Sequence, residues 1–145
     1  MTTPITAREI VAEARDAERK GANMGSIRKI LIVDDSATER HMLSDLLTKA
    51  GYDVLASDNG EDAIVKAREI KPDLILMDVV MPGLNGFQAT RAISRDPDTR
   101  TIPIILCTSK SQETDKIWGL RQGARDYVVM PVDRDELLDK INALA

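Results

Sequence analysis

Short, uninterrupted apolar runs constrain the fold of this chain more than any other feature. In Ile30–Val33 and Leu74–Met77 every residue is apolar, a pattern typical of strands that are buried on both faces. Three further segments are predicted as strands: Tyr52–Ala56, Ile102–Cys107 and Tyr127–Val129. The chain therefore carries five short strand signals, spaced far enough apart to leave room for a helix after each.

Helix-like segments follow each of the strand signals. Ser36 and Glu39 have capping-box spacing and open the first of these helices, which Gly51 ends. The other four predicted helices are Glu61–Ile70, Phe87–Arg95, Glu113–Gln122 and Asp133–Leu144. Five strands alternating with five helices predict an α/β fold, in which a parallel sheet is doubly wound with helices on both faces.

Residues 1–26 are predicted to be an extension that precedes a domain over residues 27–145. Thr6 and Glu9 have capping-box spacing, and Gly21 is a natural helix end. The apolar stripe between these two ends is thin. The segment is therefore interpreted either as a marginal helix or disordered extension, or as a docking or dimerisation helix. The pattern of residues leaves both interpretations open.

Composition excludes several classes of function. The single cysteine, Cys107, excludes a disulfide framework, and with one histidine, His41, it excludes a site built from several Cys or His ligands. The 20 basic and 24 acidic residues give a net charge of −4, which argues against nucleic-acid binding through a basic surface. No apolar stretch approaches the roughly 20 residues of a membrane span. We therefore expect a cytoplasmic protein with no nucleic-acid partner.

Carboxylates follow two of the predicted strands at the edge where ligands bind in such sheets. Asp34 and Asp35 end the first strand, Asp78 ends the third, and Thr108 ends the fourth. Three close carboxylates repel one another, and a hard divalent cation removes that conflict. The sequence predicts a Mg²⁺ site here, whereas a role as helix caps and turn formers would explain only Asp34 or Asp35.

These residues, with Met81-Pro82-Gly83, Tyr127 and Pro131, resemble the receiver domain of bacterial two-component response regulators. The resemblance implies a flavodoxin-like sheet of strand order 2-1-3-4-5. The stretches at residues 81–91 and 112–127 are similar to the stand-alone receivers of type IV pilus twitching systems.

The resemblance also implies roles for individual residues. Asp78 would accept a phosphoryl group from the phosphohistidine of a histidine kinase. Asp35, Asp78 and the Val80 backbone carbonyl would bind Mg²⁺, with Asp34 acting mostly through water. Beyond this phosphoryl transfer and its reversal by dephosphorylation, the resemblance implies no enzymatic activity.

The resemblance further implies a switch and an output surface. Thr108 would turn toward the phosphoryl group, Tyr127 would move inward, and the face made by helix four, strand five and helix five would contact an output protein. Because the sequence ends at Ala145, directly after helix five, no output domain is expected, and the protein would act by protein contact or as a phosphate sink that drains a kinase. The protein is expected to be a monomer or weak dimer.

One position departs from the family pattern. Receivers carry Lys before the proline that corresponds to Pro131, and here the residue is Met130. Lys110 is a candidate substitute for the missing charge. Met130 favours the alternative of a receiver-like interaction module that works without phosphorylation. A Mg²⁺-dependent phosphatase-type hydrolase using Asp78 is disfavoured, since no second acid or base follows Asp78.

Five other residues are interpreted without a role in phosphoryl transfer. His41 is expected on the surface, and Cys107 is expected to act as a small buried hydrophobe. In helix four, Ile117 and Leu120 are predicted to face the core. Trp118 is rotated away from that stripe, where it either packs or contacts a partner.

Overall fold

The computed structural model describes residues 26–109 and 113–145. Residues 1–25 of the predicted N-terminal extension and Lys110 lie outside this part of the chain. The strands are β1 (Lys29–Val33), β2 (Asp53–Ser57), β3 (Leu74–Asp78), β4 (Ile104–Ser109) and β5 (Asp126–Met130). The helices are α1 (Ala37–Lys49), α2 (Gly60–Ile70), α3 (Gly86–Arg95), α4 (Glu113–Gln122) and α5 (Arg134–Leu144).

The five strands form one parallel sheet in the order β2-β1-β3-β4-β5, which confirms the predicted fold and strand order. Alternate strand residues point to opposite faces. Ile30 and Ile32 pack with residues of α1 and α5, whereas Leu31 and Val33 pack with residues of α2 and α3. Both faces of the central strands are therefore buried, as their continuous apolar runs predict.

The fourth strand begins two residues later than predicted, at Ile104 rather than Ile102. Pro103 has no N–H, and its carbonyl accepts a hydrogen bond from Ile75 N–H at 3.0 Å. Ile102 instead closes a turn by donating its N–H to the Thr99 carbonyl, also at 3.0 Å. A proline at this point limits regular pairing to the residues that follow it.

The prediction that Ile117 and Leu120 face the core is wrong. These residues are 52% and 46% exposed, whereas Gly119 between them is buried. A Cβ atom at Gly119 would overlap Leu106 Cδ1 and come within 3.5 Å of Phe87 Cε1. The helix approaches the sheet so closely through Gly119 that its large apolar side chains lie toward solvent. A hydrophobicity pattern gives glycine no weight and therefore assigns the wrong face.

The other two simple interpretations are confirmed. His41 is exposed on α1, and Cys107 is a buried free cysteine in β4. Among the described residues, no helix is both long enough and apolar enough to cross a lipid bilayer.

Candidate functional site

Three carboxylates meet at the carboxyl ends of β1 and β3. Asp34 and Asp35 follow β1 directly, and Asp78 is the last residue of β3. Val33 pairs with Met77 in the parallel register, so Asp34 and Asp78 are the next residues on neighbouring strands. One oxygen from each of the three carboxylates lies within 4.8 Å of the others. The predicted juxtaposition at this edge of the sheet is therefore present.

Asp34 is only 1% exposed, and its hydrogen bonds leave one carboxylate oxygen without a partner. Asp34 Oδ1 accepts from the Ser36 N–H at 2.9 Å, whereas Oδ2 has no hydrogen-bond partner. Arg40 Nη1 donates to the Asp34 backbone carbonyl at 2.7 Å rather than to its carboxylate. A buried, unpartnered carboxylate oxygen is costly. A divalent cation with oxygen ligands fits this donor set and would remove that cost.

Burial is the main cause that raises the pKa values of two of these carboxyl groups. The pKa of Asp34 rises from 3.8 to about 7, and the charges of Asp78 and Glu39 contribute after burial. The pKa of Asp78 rises from 3.8 to about 6, with the charges of Asp35 and Glu39 as the next causes. The groups that lower these pKa values are backbone N–H donors, and no cation of the described residues is among them. The site therefore concentrates negative charge without a fixed counter-charge.

The start of α3 lies directly against the backbone of Asp78. Gly86 N–H donates to the Val79 carbonyl at 3.0 Å, and a Cβ atom at Gly86 would overlap the Asp78 carbonyl oxygen. The Val79 N–H donates to the Cys107 carbonyl of β4 at 3.3 Å. The backbone N–H groups of Val79 and Val80 partly offset the rise in the pKa of the Asp78 carboxyl group. The Val80 side chain is 71% exposed, so the backbone of Val80 adjoins the site while its side chain faces solvent.

Thr108 and Tyr127 lie on the two strands beyond Asp78. The Thr108 hydroxyl is buried and donates to the Val128 carbonyl of β5 at 3.4 Å, a long hydrogen bond. Tyr127 packs partly against the apolar cluster on the α2 and α3 side of the sheet. Lys140 Nζ of α5 sits 4.9 Å from the centroid of the Tyr127 ring, a cation–π distance. Both side chains therefore have contacts that a rearrangement would break.

Met130 ends β5, opposite Ser109 of β4 in the register. Its side chain is partly buried and packs against the apolar cluster on the α1 and α5 side. The peptide bond between Met130 and Pro131 is cis, which the sequence did not predict. Met130 thus contributes packing at this position and no charge.

Glu39 is the residue that sequence reasoning missed at this site. It was predicted only as the capping-box partner of Ser36, yet its charge raises the pKa of both Asp34 and Asp78. The sequence did carry a signal for this effect, because Glu39 lies four residues after Asp35, in the first turn of the helix that follows β1. Glu39 was overlooked because the capping-box pattern already assigned it a structural role.

Comparison with known proteins agrees with this geometry. The family model for the response regulator receiver domain matches residues 30–142. Protein PilH of Pseudomonas aeruginosa is 58% identical over 80% of this chain and 96% of its own length. Two solved structures are similar at 32% identity. Chemotaxis protein CheY4 of Vibrio cholerae has a TM-score of 0.77 and covers 82% of this chain and 99% of its own.

The second solved structure is the receiver domain of a sensor histidine kinase from Pseudomonas aeruginosa. It has a TM-score of 0.75, covers 81% of this chain and 96% of its own, and has a magnesium ion coordinated in its active-site cleft. Receiver domains are signalling modules that accept a phosphoryl group from histidine kinases and bind Mg²⁺ at an acidic pocket. Because the family model and PilH both match most of its length, this chain belongs to the response regulator receiver domain family.

Proposed function

We propose that this protein is a response regulator that accepts a phosphoryl group on Asp78 from a histidine kinase and signals by protein contact. The observation that carries the proposal is the cluster of Asp34, Asp35 and Asp78, whose carboxylate oxygens lie within 4.8 Å of one another. The buried oxygen of Asp34 without a hydrogen-bond partner supports it further. We take residues 27–145 as the receiver domain and residues 1–26 as a separate extension.

Asp35, Asp78 and the backbone carbonyl of Val80 would hold Mg²⁺, and Asp34 would act through a bound water. When bound, the cation neutralises charge on the transferring phosphoryl group. A carboxylate oxygen of Asp78 attacks the phosphorus, the P–N bond to the kinase histidine breaks, and the imidazole nitrogen keeps the electron pair. Since the nucleophile must be ionised, the raised pKa of Asp78 makes a bound cation more important for this step.

The contacts of Thr108 and Tyr127 support a two-state switch. In the active state the Thr108 hydroxyl would leave the Val128 carbonyl, a bond of 3.4 Å, and donate to the phosphoryl oxygen. Tyr127 would then move inward into the vacated space and away from Lys140. Both displaced contacts are weak, so a phosphoryl group could shift the balance between two arrangements.

The surface made by α4, β5 and α5 is the proposed output face. Ile117, Trp118 and Leu120 of α4 are all about half exposed, and an exposed cluster of large apolar side chains is typical of a protein-binding surface. The identity to PilH and the resemblance of residues 81–91 and 112–127 to twitching-system receivers support a role in type IV pilus motility. The proposal places the protein in the cytoplasm as a monomer or weak dimer.

Met130 favours a second candidate function, a receiver-like module that binds its partner without phosphorylation. An apolar side chain cannot supply the ammonium that receivers use to contact the phosphoryl group. The intact acidic cluster argues for the phosphorylated form.

Phosphorylation with a small phosphodonor and Mg²⁺ would separate the two functions. Mass spectrometry should show a single added phosphoryl group on Asp78 in the wild-type protein and none in Asp78→Asn. The exposed Asp139 of α5 offers a matched control, because Asp139→Asn removes the same charge outside the site and should leave phosphorylation unchanged. If the wild-type protein takes up no phosphoryl group, or if Asp78→Asn is modified to the same extent, the proposal fails.

A further inference from the structure

Hydrogen bonds from three other residues hold Asp34 in place. Its N–H donates to the Ser57 carbonyl at the end of β2 at 3.1 Å, and its backbone carbonyl accepts from Arg40 Nη1 of α1 at 2.7 Å. Its carboxylate oxygen Oδ1 accepts from the Ser36 N–H at 2.9 Å. The other carboxylate oxygen, Oδ2, is buried and has no hydrogen-bond partner. The residue is therefore fixed while one of its oxygens stays available to a ligand.

Arg40 makes the only one of these three bonds that a side chain supplies. Its guanidinium is a charged donor, and such hydrogen bonds are shorter and stronger than those between neutral groups. The backbone of Arg40 is itself held, because its N–H donates to the Ser36 carbonyl at 2.9 Å. The side chain of Arg40 thus ties the turn between β1 and α1 to the helix that follows it.

The partner of Asp34 on β2 is also held in place. Ser57 is buried, and its hydroxyl donates to Asp62 Oδ2 of α2 at 2.8 Å. Asp62 in turn forms an ion pair with Lys66 at 2.9 Å. Asp34 therefore lies between two supports, one from α1 through Arg40 and one from β2 and α2. Loss of Arg40 would leave its carbonyl without a donor and the turn supported from one side.

A firmly held carboxylate matters more for Mg²⁺ than for Ca²⁺. Mg²⁺ requires nearly ideal octahedral geometry and keeps several of its waters, whereas Ca²⁺ accepts six to eight oxygen ligands in flexible arrangements. In the proposed function Asp34 acts on the cation through a bound water, and such outer-shell groups orient what the metal binds directly. A displacement of Asp34 should therefore disturb Mg²⁺ more than Ca²⁺.

We propose that Arg40 is a positioning residue that gives the site its preference for Mg²⁺ over Ca²⁺ by holding the backbone carbonyl of Asp34. The inference rests on the proposed Mg²⁺ site. Arg40 bonds to the carbonyl and not to the carboxylate, so it fixes the acidic group without pairing with its charge. Its positive charge alone would repel either cation, which gives the two effects opposite signs.

The substitution Arg40→Met separates positioning from charge, because it removes the donor and the charge together. Calorimetry should show Mg²⁺ binding about tenfold weaker than in the wild-type protein, at the low end of the effect of losing an outer-shell partner. Ca²⁺ binding should change by less than about threefold, since its geometry is flexible. Loss of charge alone would instead strengthen the binding of both cations. Equal changes in the two affinities, or no change in either, would overturn the inference.

Arg95→Met is the matched control. Arg95 is exposed at the end of α3, about 14 Å along the helix from Gly86, whose backbone lies against Asp78. The same substitution there should leave both affinities unchanged. A similar loss of preference for Mg²⁺ in Arg95→Met would contradict a specific role for Arg40.

Arg40→Lys is a milder variant that keeps the charge and a donor. The lysine stem is shorter and has no planar fork, so its preference for Mg²⁺ should lie between those of the wild-type protein and Arg40→Met. Circular dichroism would confirm that each variant is folded. Should Arg40→Met fail to fold, Arg40→Lys decides alone, and an unchanged preference for Mg²⁺ in that variant would overturn the inference.

Asp35→Ala separates failure of this inference from failure of the proposed function. If Asp35→Ala abolishes Mg²⁺ binding while Arg40→Met binds both cations like the wild-type protein, the site is right and the role of Arg40 is wrong. If Asp35→Ala also binds Mg²⁺ normally, the proposed site itself is wrong, and the inference about Arg40 fails with it.

Discussion

The substitution Asp78→Asn should stabilise the metal-free protein, although it removes the proposed phosphoacceptor. Burial and the charges of Asp35 and Glu39 raise the pKa of Asp78 from 3.8 to about 6 in the folded state. The folded state therefore binds this proton more tightly than the unfolded state. As a result, Asp78 costs folding free energy once the pH exceeds the unfolded pKa, and the cost is complete above the folded pKa. Asn keeps an oxygen that can accept the backbone N–H bonds and carries no charge.

The expected gain in the free energy of unfolding follows from the shift in the pKa of Asp78. A change of about two pKa units corresponds to about 3 kcal/mol at 1.36 kcal/mol per unit. Asp78 is only partly buried, so solvent screening reduces this figure, and we expect a gain of about 1–2 kcal/mol at pH 8. In a domain of this size the melting temperature should rise by about 3–8 °C.

Urea unfolding in the presence of a chelator, followed by circular dichroism, would measure this gain. The difference between Asp78→Asn and the wild-type protein should be full at pH 8 and shrink as the pH falls from about 7 to about 4, because the wild-type carboxyl group then becomes protonated. Asp139→Asn, which removes an exposed acid from α5, should change stability by less than about 0.5 kcal/mol. A loss of stability at pH 8, or a gain that does not depend on pH, would refute the electrostatic reasoning.

Three further substitutions test other parts of the structure. Met130→Lys places a cation at the acidic pocket, so it should weaken Mg²⁺ binding in calorimetry. It should also enlarge the change in the protein's intrinsic fluorescence when beryllofluoride, a phosphoryl analogue, is added. Behaviour identical to that of the wild-type protein in both measurements would contradict this account of Met130. Lys140→Ala removes the cation–π contact with Tyr127, worth about 0.5–1 kcal/mol, so beryllofluoride should bind about two- to fivefold more tightly if Tyr127 moves inward. Gly119→Ala should lower the free energy of unfolding by about 1–3 kcal/mol, because the new methyl group would overlap the buried Leu106; unchanged urea unfolding would count against tight packing there.

The fold could be predicted because its strands are buried on both faces. The apolar runs at Ile30 and Leu74 are typical of strands buried on both faces, and their alternation with helices then favours a parallel sheet. The cluster of Asp34, Asp35 and Asp78 could be predicted for a related reason, since parallel strands bring their carboxyl ends to one edge. The prediction of the fold and the prediction of the carboxylate cluster both depend on how the strands are arranged in the sheet, and the strand pattern determines that arrangement.

The orientation of α4 could not be predicted in the same way. Helix faces were assigned from the spacing of large apolar residues, and this places Ile117 and Leu120 toward the core. The packing instead depends on Gly119, whose missing side chain allows the helix to approach Leu106. The apolar residues on either side are left exposed, and they form the surface proposed to bind an output protein. The failed prediction thus coincides with the surface that is proposed to bind an output protein.

Glu39 shows why a correct local motif can still give the wrong role. Ser36 and Glu39 match a capping box, and the backbone half of the motif does form. The other half fails because Asp34, held at the end of β1 by the sheet, takes the Ser36 N–H first. The charge of Glu39 raises the pKa of Asp34, a buried carboxyl group that has one oxygen without a hydrogen-bond partner. Local rules are broken most often where a site needs charge that folding alone would avoid. Met130 adds no positive charge at the end of β5, so we expect the proposed site to depend more strongly on a divalent cation than a site with lysine at this position.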